Sequence, residues 1–558
     1  MSDNIQIFCE NTGAYLNVKG GETLLEIYER IQDKMGIKPI CAHVNNKTEG
    51  LCYPVFMPKK VKFLDRRSPS GQRMYVRSLC MVLAKAVHDL FPQEELCLEH
   101  SVSKGYFCLL SHRQEVEEAD VEQIKKRMKE LIAADIPFER EMKLTEDVIA
   151  EFKKAGMHDK VHLLESGTDL YAVYYRLGDY IDSFYGDLAP SSGYVDVFNL
   201  EKYKHGMLLL PPDFAGNDSL PARMIPQEKL FNAFTDYIKF NNTVGIANAG
   251  MLNKAVESKA NVDMLINVAE TLHDKNIGRI AERITERFRE GGARVVLVAG
   301  PSSSGKTTTT KRLSIHLLAN LIKPQMISLD NYFVDREHTP LDEHGEYDYE
   351  SLYALDIEQF NKDLNALIRG EEVAMPTYDF ATGKRIYKGN TLKLDDNSIL
   401  LMEGIHGLNP ELTKSIPDKQ KFKVYVSALT TLSIDNHNWV PTTDNRLLRR
   451  IIRDFKYRGI SALDTISRWQ SVRRGEEKWI FPYQENADAM FNSSLIFELG
   501  VMKDFAEPIL KKVPHNVPEY AEASRLLSFL SYFSPISNRQ IPPTSLLREF
   551  LGGSSFKY

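Results

Sequence analysis

The amino-acid sequence predicts a multidomain α/β protein whose C-terminal half contains a parallel sheet flanked by helices. The chain of 558 residues is longer than a single hydrophobic core supports. Its first 65 residues show the order hairpin, helix and short strands, which indicates a small separate domain. Just past the midpoint, an apolar strand, a glycine-rich turn and a helix follow one another, as they do in parallel α/β sheets.

The composition argues against several classes of function. Hydrophobic residues make up 43% and charged residues 26%, and the net charge of −6 does not make the whole chain a polyanion binder. We expect no secretory signal and no membrane span, because no apolar run reaches the ~18 residues that a span needs. The six cysteines lie in the first fifth of the chain without a CxxC pair, which favours reduced thiols in a cytoplasmic protein.

Residues 1–66 predict a β-grasp domain. The segments NIQIFC and AYLNV form a hairpin, and the segments CAHVNN and VKFLD supply later strands. An amphipathic helix lies between them, with Thr23 as its predicted N-cap and Gly36 as its predicted C-cap. This order of elements is the basis for the β-grasp assignment.

The rest of the chain divides into four predicted parts. Residues 67–225 form an α+β domain with two amphipathic helices and aromatic-rich loops, and residues 226–290 form a helical connector of three helices. The parallel-sheet domain spans residues 291–535. Residues 536–558 are polar and turn-rich, and we expect this tail to be loosely held.

The stretch GPSSSGKTTTTKRL at 300–313 matches the phosphate-binding pattern G-x-x-x-x-G-K-[ST]. Glycines let backbone N–H groups turn inward around phosphate oxygens, and the next helix presents its positive end to the same anion. In this pattern Lys306 reaches the outer phosphates and the Thr307 hydroxyl can bind Mg²⁺. The predicted nucleotide-binding residues of the stretch are Gly300, Ser302, Ser303, Ser304, Gly305, Lys306, Thr307 and Thr308.

Two carboxylates stand at the ends of later strands, Asp330 after MISL and Glu403 after SILLM. Because the carboxyl ends of parallel strands face the ligand crevice, Asp330 is placed to accept a proton from an acceptor hydroxyl. Glu403 can hold Mg²⁺ directly or through water. The alternatives are a capping or turn aspartate and an ordinary strand-end glutamate.

The segment DNRLLRRIIRDFKYRG at 444–459 carries five arginines at helical spacing. Planar guanidinium groups suit phosphate oxygens, so the segment can form a lid that closes over a transferring phosphoryl group. It can equally be a solvated basic face paired with Asp444 and Asp454. The residues themselves leave both interpretations open.

The series GPSSSGKT, SLDNYF, YDFATGKR, MEGIHGL and DNRLLRRIIRD resembles, in order and spacing, the uridine kinase and phosphoribulokinase family of P-loop kinases. The resemblance covers residues 291 to about 510, and the segment at 472–493 is similar to a bacterial subgroup of uridine kinase-like nucleoside kinases. It implies an ATP- and Mg²⁺-dependent nucleoside kinase with Asp330 and Lys306 as catalytic residues and Thr307 and Glu403 as metal ligands. The other implied contacts are nucleotide contacts from Arg449 and Arg450 and substrate contacts from Asp330, Tyr332, Tyr378, Phe380, Lys384, Arg385, Arg446 and Arg453.

The acceptor segment departs from the family at one position. Uridine–cytidine kinases have a histidine that reads the pyrimidine edge a few residues after Tyr-x-Phe, and the matching residue here is Gly383. Loss of the imidazole removes a hydrogen-bonding group and leaves room, so a purine nucleoside such as inosine becomes an alternative. Lys384 and Arg385 could instead read an oxygen-rich substrate.

The front half resembles two other modules. Residues 3–65 look like a TGS domain, and residues 71–225 look like the second N-terminal domain of threonyl-tRNA synthetase. The synthetase helix carries two histidines at positions held here by Arg77 and Met81, and neither side chain replaces an imidazole. We therefore expect the fold without the editing chemistry. Nucleic-acid binding by this half stays open, and we expect a homo-oligomer.

Two further functions compete with the nucleoside kinase. One is a sugar-phosphate kinase of the phosphoribulokinase type, and the other is a regulatory or RNA-associated NTPase whose hydrolysis acts as a switch. Translation GTPases read guanine with NKxD, and NKDL at 361–364 has Leu364 where the acid belongs. That difference weighs against a GTPase.

Overall fold

The computed structural model describes residues 4–214, 219–221, 224–343 and 345–558. These residues form a small N-terminal sheet, two sheets in a second region, a helical connector and a five-stranded parallel sheet. None of the helices in these ranges is both long enough and apolar enough to cross a bilayer. All six cysteines are free thiols.

The N-terminal region contains the predicted hairpin, helix and later strands. Its elements are β1 (Asn4–Cys9), β2 (Ala14–Lys19), β3 (Glu22–Thr23), α1 (Leu24–Ile31), β4 (Cys41–Val44), β5 (Lys47–Gly50), β6 (Pro54–Val55) and β7 (Lys60–Leu64). The main sheet has the order β2-β1-β7-β4-β5, with β1 parallel to β7. Thr23 caps α1 as predicted, in a reciprocal capping box with Glu26. Gly36 is not the C-cap, because α1 ends at Ile31 and a 3₁₀ turn follows it.

The second region packs its sheets around one long, buried helix. Its elements are α2 (Pro69–Leu90), β8 (Leu96–Val102), β9 (Gly105–Leu110), α3 (Glu118–Ala133), β10 (Glu139–Leu144), α4 (Thr145–Lys154), α5 (His158–Glu165), β11 (Tyr171–Leu177), β12 (Tyr180–Asp182), β13 (Asn199–Tyr203) and β14 (Gly206–Leu210). The sheet orders are β13-β14-β9-β8 and β10-β11-β12. Arg77 and Met81 on α2 are buried, and the Arg77 guanidinium donates to the Asp187 carbonyl at 2.9 Å. Arg77 therefore has a structural contact within the domain.

The connector contains α6 (Glu228–Thr243), α7 (Ala249–Ala255) and α8 (Lys259–Arg289). The sequence predicted two successive helices at VDMLINVAETLHDKN and IGRIAERITERFREGG. In the structure both segments belong to α8, which is one continuous helix of 31 residues. The break is absent because buried Ile277, Ile280 and Ile284 carry the apolar face past Gly278 without a proline.

The C-terminal region is built on a parallel sheet, as predicted. Its elements are β15 (Val295–Ala299), α9 (Lys306–Ala319), β16 (Lys323–Ser328), α10 (Ile357–Ile368), β17 (Val373–Asp379), β18 (Lys384–Leu392), β19 (Ser398–Glu403), β20 (Lys421–Ser427), α11 (Thr442–Arg458), α12 (Ala462–Trp479), β21 (Ala489–Asn492), α13 (Glu498–Leu510), α14 (Tyr520–Ser531) and α15 (Arg548–Leu551). The order is β16-β19-β15-β20-β21, and every neighbouring pair is parallel. The central strand β15 is wholly buried, and β17 and β18 form a separate antiparallel hairpin. The carboxyl ends of β15, β16 and β19 therefore open onto one crevice.

Ion pairs, one of them fully buried, join the front half to the parallel-sheet half. The Lys160 ammonium group lies 2.7 Å from a carboxylate oxygen of Asp182 and 3.1 Å from one of Asp435, and all three side chains are buried. At a second contact, Arg73 pairs with Glu522 on α14 at 3.1 Å. Charges buried in this way require fixed partners, so the two halves contact one another through specific geometry.

The C-terminal tail is held more firmly than the sequence indicated. Ile541, Leu546 and Phe550 are buried, and Leu546 and Phe550 belong to the apolar cluster beside the parallel sheet. The prediction of a loose tail was wrong because widely spaced apolar residues anchor the polar turns between them.

Candidate active site

The glycine-rich loop joins the end of β15 to the start of α9, as the sequence predicts. Gly305 has a φ of +82°, a left-handed conformation that favours glycine, and α9 begins at the next residue. The Lys306 ammonium group donates to the Pro301 carbonyl at 3.0 Å. Burial lowers the pKa of Lys306, while the nearby Glu403 and Asp330 carboxylates act in the opposite direction. The lysine thus lies between the loop and both strand-end acids.

The loop serines fit an anion cradle. The hydroxyl groups of Ser303 and Ser304 are buried and have no hydrogen-bonding partner among the described residues. Buried hydroxyl groups normally form hydrogen bonds. Two adjacent hydroxyls without a partner in a glycine-rich loop therefore indicate a site where a ligand supplies the missing hydrogen bonds. Phosphate oxygens supply acceptors of the required kind, and the start of α9 supplies further donors.

The two strand-end carboxylates lie at the same edge of the sheet. Glu403 is the last residue of β19, and Asp330 lies in a 3₁₀ helix directly after β16. The hydroxyl of Ser328 donates to Glu403 at 3.3 Å. Burial and the nearby Asp330 carboxylate together raise the pKa of Glu403 to about 7, against the opposing effect of Lys306. Burial also raises the pKa of Asp330, whereas Lys306, Arg458 and Arg453 act to lower it.

The predicted Mg²⁺ ligands Thr307 and Glu403 both carry oxygen donors of the kind that Mg²⁺ takes. Thr307 lies in the first turn of α9, beside Lys306, and Glu403 ends the neighbouring strand. Mg²⁺ takes oxygen ligands and is commonly bound through one or two carboxylates together with substrate phosphates and water. A hydroxyl and a carboxylate at the mouth of a phosphate cradle match that donor set.

Two of the predicted arginines are buried inside the protein. Arg446 pairs with Glu476 on α12, with its second guanidinium nitrogen at 2.8 Å from the carboxylate, and Arg449 pairs with Glu498 at 2.5 Å. Arg446 also donates to the Ser302 carbonyl at 3.1 Å. These arginines support the phosphate loop from behind, whereas the sequence assigned them to substrate and nucleotide. The difference arises because their acidic partners lie far along the chain.

The other arginines of α11 are nearer to the crevice. Arg450 donates to the Ser302 hydroxyl at 3.0 Å and lies 3.3 Å from Asp454. Arg453 also pairs with Asp454, at 3.2 Å, and is half-buried. The positive charges of Arg453 and Arg458 both act to lower the pKa of Asp330. Arg458 is one of the five arginines of the candidate lid segment, but the sequence assigned it no nucleotide or substrate contact.

Three aromatic rings, Phe333, Tyr378 and Phe380, form a cluster that we call the aromatic wall, and Phe333 follows Asp330 by three residues. Ring centroids are 5.5 Å apart for Phe333 and Tyr378, 5.1 Å for Tyr378 and Phe380, and 6.4 Å for Phe333 and Phe380. Such rings offer faces on which a planar base can stack. The predicted Tyr378 and Phe380 are therefore brought together, and the sequence missed Phe333.

The remaining predicted substrate residues are distributed differently. Tyr332 is buried, and its hydroxyl donates to Asp363 at 3.1 Å, so it faces the core under α10. Arg385 is held by Asp356 at 2.8 Å, and Lys384 is exposed at the start of β18. Tyr332 ends the 3₁₀ helix with its ring against Phe360, whereas the next residue, Phe333, has its ring near Tyr378 and Phe380.

The space opposite Gly383 is filled by Arg336. Gly383 has a φ of +70°, and a Cβ atom there would lie 2.8 Å from the Arg336 Nε atom. The Arg336 backbone N–H donates to the Gly383 carbonyl at 2.8 Å, and its guanidinium group donates to the Phe380 carbonyl at 2.6 Å. The expectation that loss of the imidazole leaves room is therefore wrong, because a guanidinium occupies the position.

A further carboxylate that the sequence did not indicate lies near the same crevice. One oxygen of Glu350 is buried without a partner among the described residues. Burial and the Glu476 carboxylate together raise the pKa of Glu350 to about 7, while Arg450 and Lys306 act to lower it. No strand end or motif marks this residue in the sequence.

Known proteins with similar sequences point to one class. The profile of the phosphoribulokinase/uridine kinase family matches residues 295–495. A uridine kinase of Staphylococcus aureus is 30% identical over 195 residues, which is 35% of this chain and 84% of that protein. Among solved structures, one described as a possible uridine kinase from Bacillus stearothermophilus is 23% identical, with a TM-score of 0.24, over 36% of this chain and 89% of its own. D-glycerate 3-kinase from Cryptococcus neoformans is 14% identical, with a TM-score of 0.22, and the match covers 46% of this chain and 87% of that protein.

The sequence match and the site together define a P-loop kinase, a phosphotransferase that acts on a hydroxyl group. The chain belongs to the phosphoribulokinase/uridine kinase family.

Proposed function

We propose that the protein is a nucleoside kinase, which transfers the γ-phosphoryl group of ATP to the 5′-hydroxyl of a nucleoside with the help of Mg²⁺. The observation that carries the proposal is one crevice in which Lys306, Asp330 and Glu403 meet beside the aromatic wall. Phosphoryl transfer depends mainly on positioning and charge stabilisation, and this crevice provides groups for both.

Each group has a defined part in the transfer. Asp330 accepts the proton of the attacking hydroxyl, and burial, by raising its pKa, strengthens it as an acceptor. Lys306 neutralises charge on the outer phosphates. Arg453 supplies a second positive charge, which also acts on Asp330. Thr307 and Glu403 would hold Mg²⁺, which would supply positive charge to the phosphate groups.

The aromatic wall favours a nucleoside over a sugar phosphate. Phe333, Tyr378 and Phe380 present ring faces, which suit a base, and of the three only Tyr378 carries a group that could donate to a phosphate. Arg385, which was a candidate for reading an oxygen-rich substrate, is paired with Asp356. A phosphoribulokinase-type activity and a regulatory NTPase therefore remain the weaker alternatives.

Arg336 points to the type of base. A guanidinium carries donors only, so it pairs with acceptor edges and opposes amino groups. Uracil presents an acceptor oxygen, and hypoxanthine presents adjacent oxygen and nitrogen acceptors, whereas cytosine and adenine present amino groups at those positions. We expect uridine or inosine to be preferred to cytidine or adenosine. Homo-oligomerisation, cytoplasmic location and nucleic-acid binding by the front half stay predictions.

The test replaces the proposed base. In Asp330→Asn we expect transfer to fall by about 10²–10⁴-fold, because the amide cannot accept the proton, while binding of a non-hydrolysable ATP analogue persists. The control is Asp395→Asn, at an exposed acid that pairs with Lys323 before β19. Near-normal transfer by Asp330→Asn would show that Asp330 is not the base that accepts the hydroxyl proton.

A further inference from the structure

The chain's own C-terminus lies on the phosphate loop. We call residues 545–558 the C-terminal segment. Its Glu549 carboxylate accepts hydrogen bonds from the Thr308 backbone N–H at 3.2 Å and from the Thr308 hydroxyl at 2.6 Å. The hydroxyl of Tyr558 lies 2.8 Å from the same threonine hydroxyl, and the Lys311 ammonium group donates to the Lys557 carbonyl. Both donors of Thr308 are therefore engaged by this segment.

Thr308 is part of the anion cradle. It is the third residue of α9, and the first four backbone N–H groups of a helix have no partner within the helix. In G-x-x-x-x-G-K-[ST] loops such N–H groups cradle the inner phosphates of the nucleotide, while the lysine reaches the outer ones. The Glu549 carboxylate thus holds a donor that the inner phosphates require. It also places a negative charge where those phosphates would lie.

Other contacts fix the segment in this position. Leu546 packs against the loop so closely that a Cβ atom on Gly305 would lie 2.6 Å from its Cδ2 atom. Phe550 is buried with Arg449 above its ring, at 5.2 Å from the centroid. The Lys456 ammonium group on α11 donates to the Leu551 carbonyl. The segment is anchored to both the loop and the arginine helix.

We propose that the C-terminal segment is an autoinhibitory plug, in which Glu549 and Tyr558 occupy the cradle at Thr308 and leave it when ATP binds. This inference rests on the proposed function, because it takes the loop as the ATP site. The closed arrangement lowers the apparent affinity for ATP by the fraction of molecules that are open. ATP binding and release of the segment are consequently linked, and a partner that captured the released segment would activate the enzyme.

The first test measures the affinity of the full-length chain for AMP-PNP with Mg²⁺ by calorimetry. Glu549→Gln keeps the size of the side chain and removes its charge, and we expect it to bind about ten-fold more tightly than the wild type. The matched control is Glu507→Gln, on the exposed face of α13, where the glutamate pairs with Lys511 at 3.0 Å. Equal affinity of Glu549→Gln and the wild type would overturn the plug.

The second test needs no variant. Hydrogen exchange of residues 548–558 in the wild type should become faster on saturation with AMP-PNP and Mg²⁺, because the segment leaves the loop. Unchanged or slower exchange in these residues would overturn the proposal. A chain that binds no AMP-PNP in any form would overturn the ATP site itself, and the plug with it.

Discussion

Substitution of Arg446, which pairs with Glu476, distinguishes a structural role of this arginine from a role in a lid over the phosphates. Both side chains are about 1% exposed or less, and Arg446 also supports the Ser302 carbonyl. Arg446→Met removes one partner and leaves Glu476 as a buried charge, a change that costs about 3–5 kcal/mol of stability. Arg473, at 2.9 Å from Glu476, offsets part of this loss and places the expected value at the lower end of the range.

Urea unfolding followed by tryptophan fluorescence reports this change well. All three tryptophans, Trp439, Trp469 and Trp479, lie in the C-terminal region, and the Arg446 guanidinium is 5.5 Å from the Trp469 ring. A loss of about 3 kcal/mol lowers the midpoint by roughly 1–2 M urea. The double variant Arg446→Met with Glu476→Leu should recover most of the loss, because no buried charge remains without a partner.

The control for this experiment is Arg473→Met, which removes the partly exposed partner of the same glutamate. We expect it to cost under about 1 kcal/mol, as exposed ion pairs do. The reasoning is refuted if Arg446→Met unfolds at the same urea concentration as the wild type and loses only catalytic turnover. That outcome would support the lid role that the sequence suggested for Arg446.

Two more predictions concern pH and base choice. Burial lowers the pKa of His100 to about 3, and neither ring nitrogen has a partner among the described residues. Because the unfolded chain takes up this proton first, stability falls as pH drops below about 6.5. His100→Phe should remove about 2 kcal/mol of the loss between pH 6.5 and 4.5 in denaturant titrations followed by circular dichroism. An unaltered pH dependence in His100→Phe would contradict this. For base choice, Arg336→Leu should reduce the preference in kcat/KM for uridine over cytidine by about ten-fold, and an unchanged ratio would show that Arg336 does not read the base.

The sequence predicted the centre of the site because the relevant signals are local. A glycine pattern between a buried strand and a helix identifies the phosphate loop without any knowledge of distant contacts. Asp330 and Glu403 could be placed as well, because the carboxyl ends of parallel strands share one edge of a sheet.

The features that the sequence missed depend on residues far apart in the chain. Arg446 and Arg449 look like free cations until their partners, 30 and 49 residues away, are brought to them by folding. Glu549 lies 241 residues from Thr308, in a tail whose composition suggested loose packing. The 3₁₀ helix after β16 ends at Tyr332, and the change of backbone direction there separates Tyr332, which is buried, from Phe333, which lies near Tyr378. Local composition does not determine where that helix ends.

The central claim is transfer of a phosphoryl group to a nucleoside hydroxyl. The most direct measurement is ³¹P NMR of the full-length protein with ATP, Mg²⁺ and each of uridine, inosine, cytidine and adenosine. We expect ADP together with a nucleoside 5′-monophosphate, formed fastest from uridine or inosine. Release of inorganic phosphate alone, at a rate that no nucleoside changes, would contradict the account.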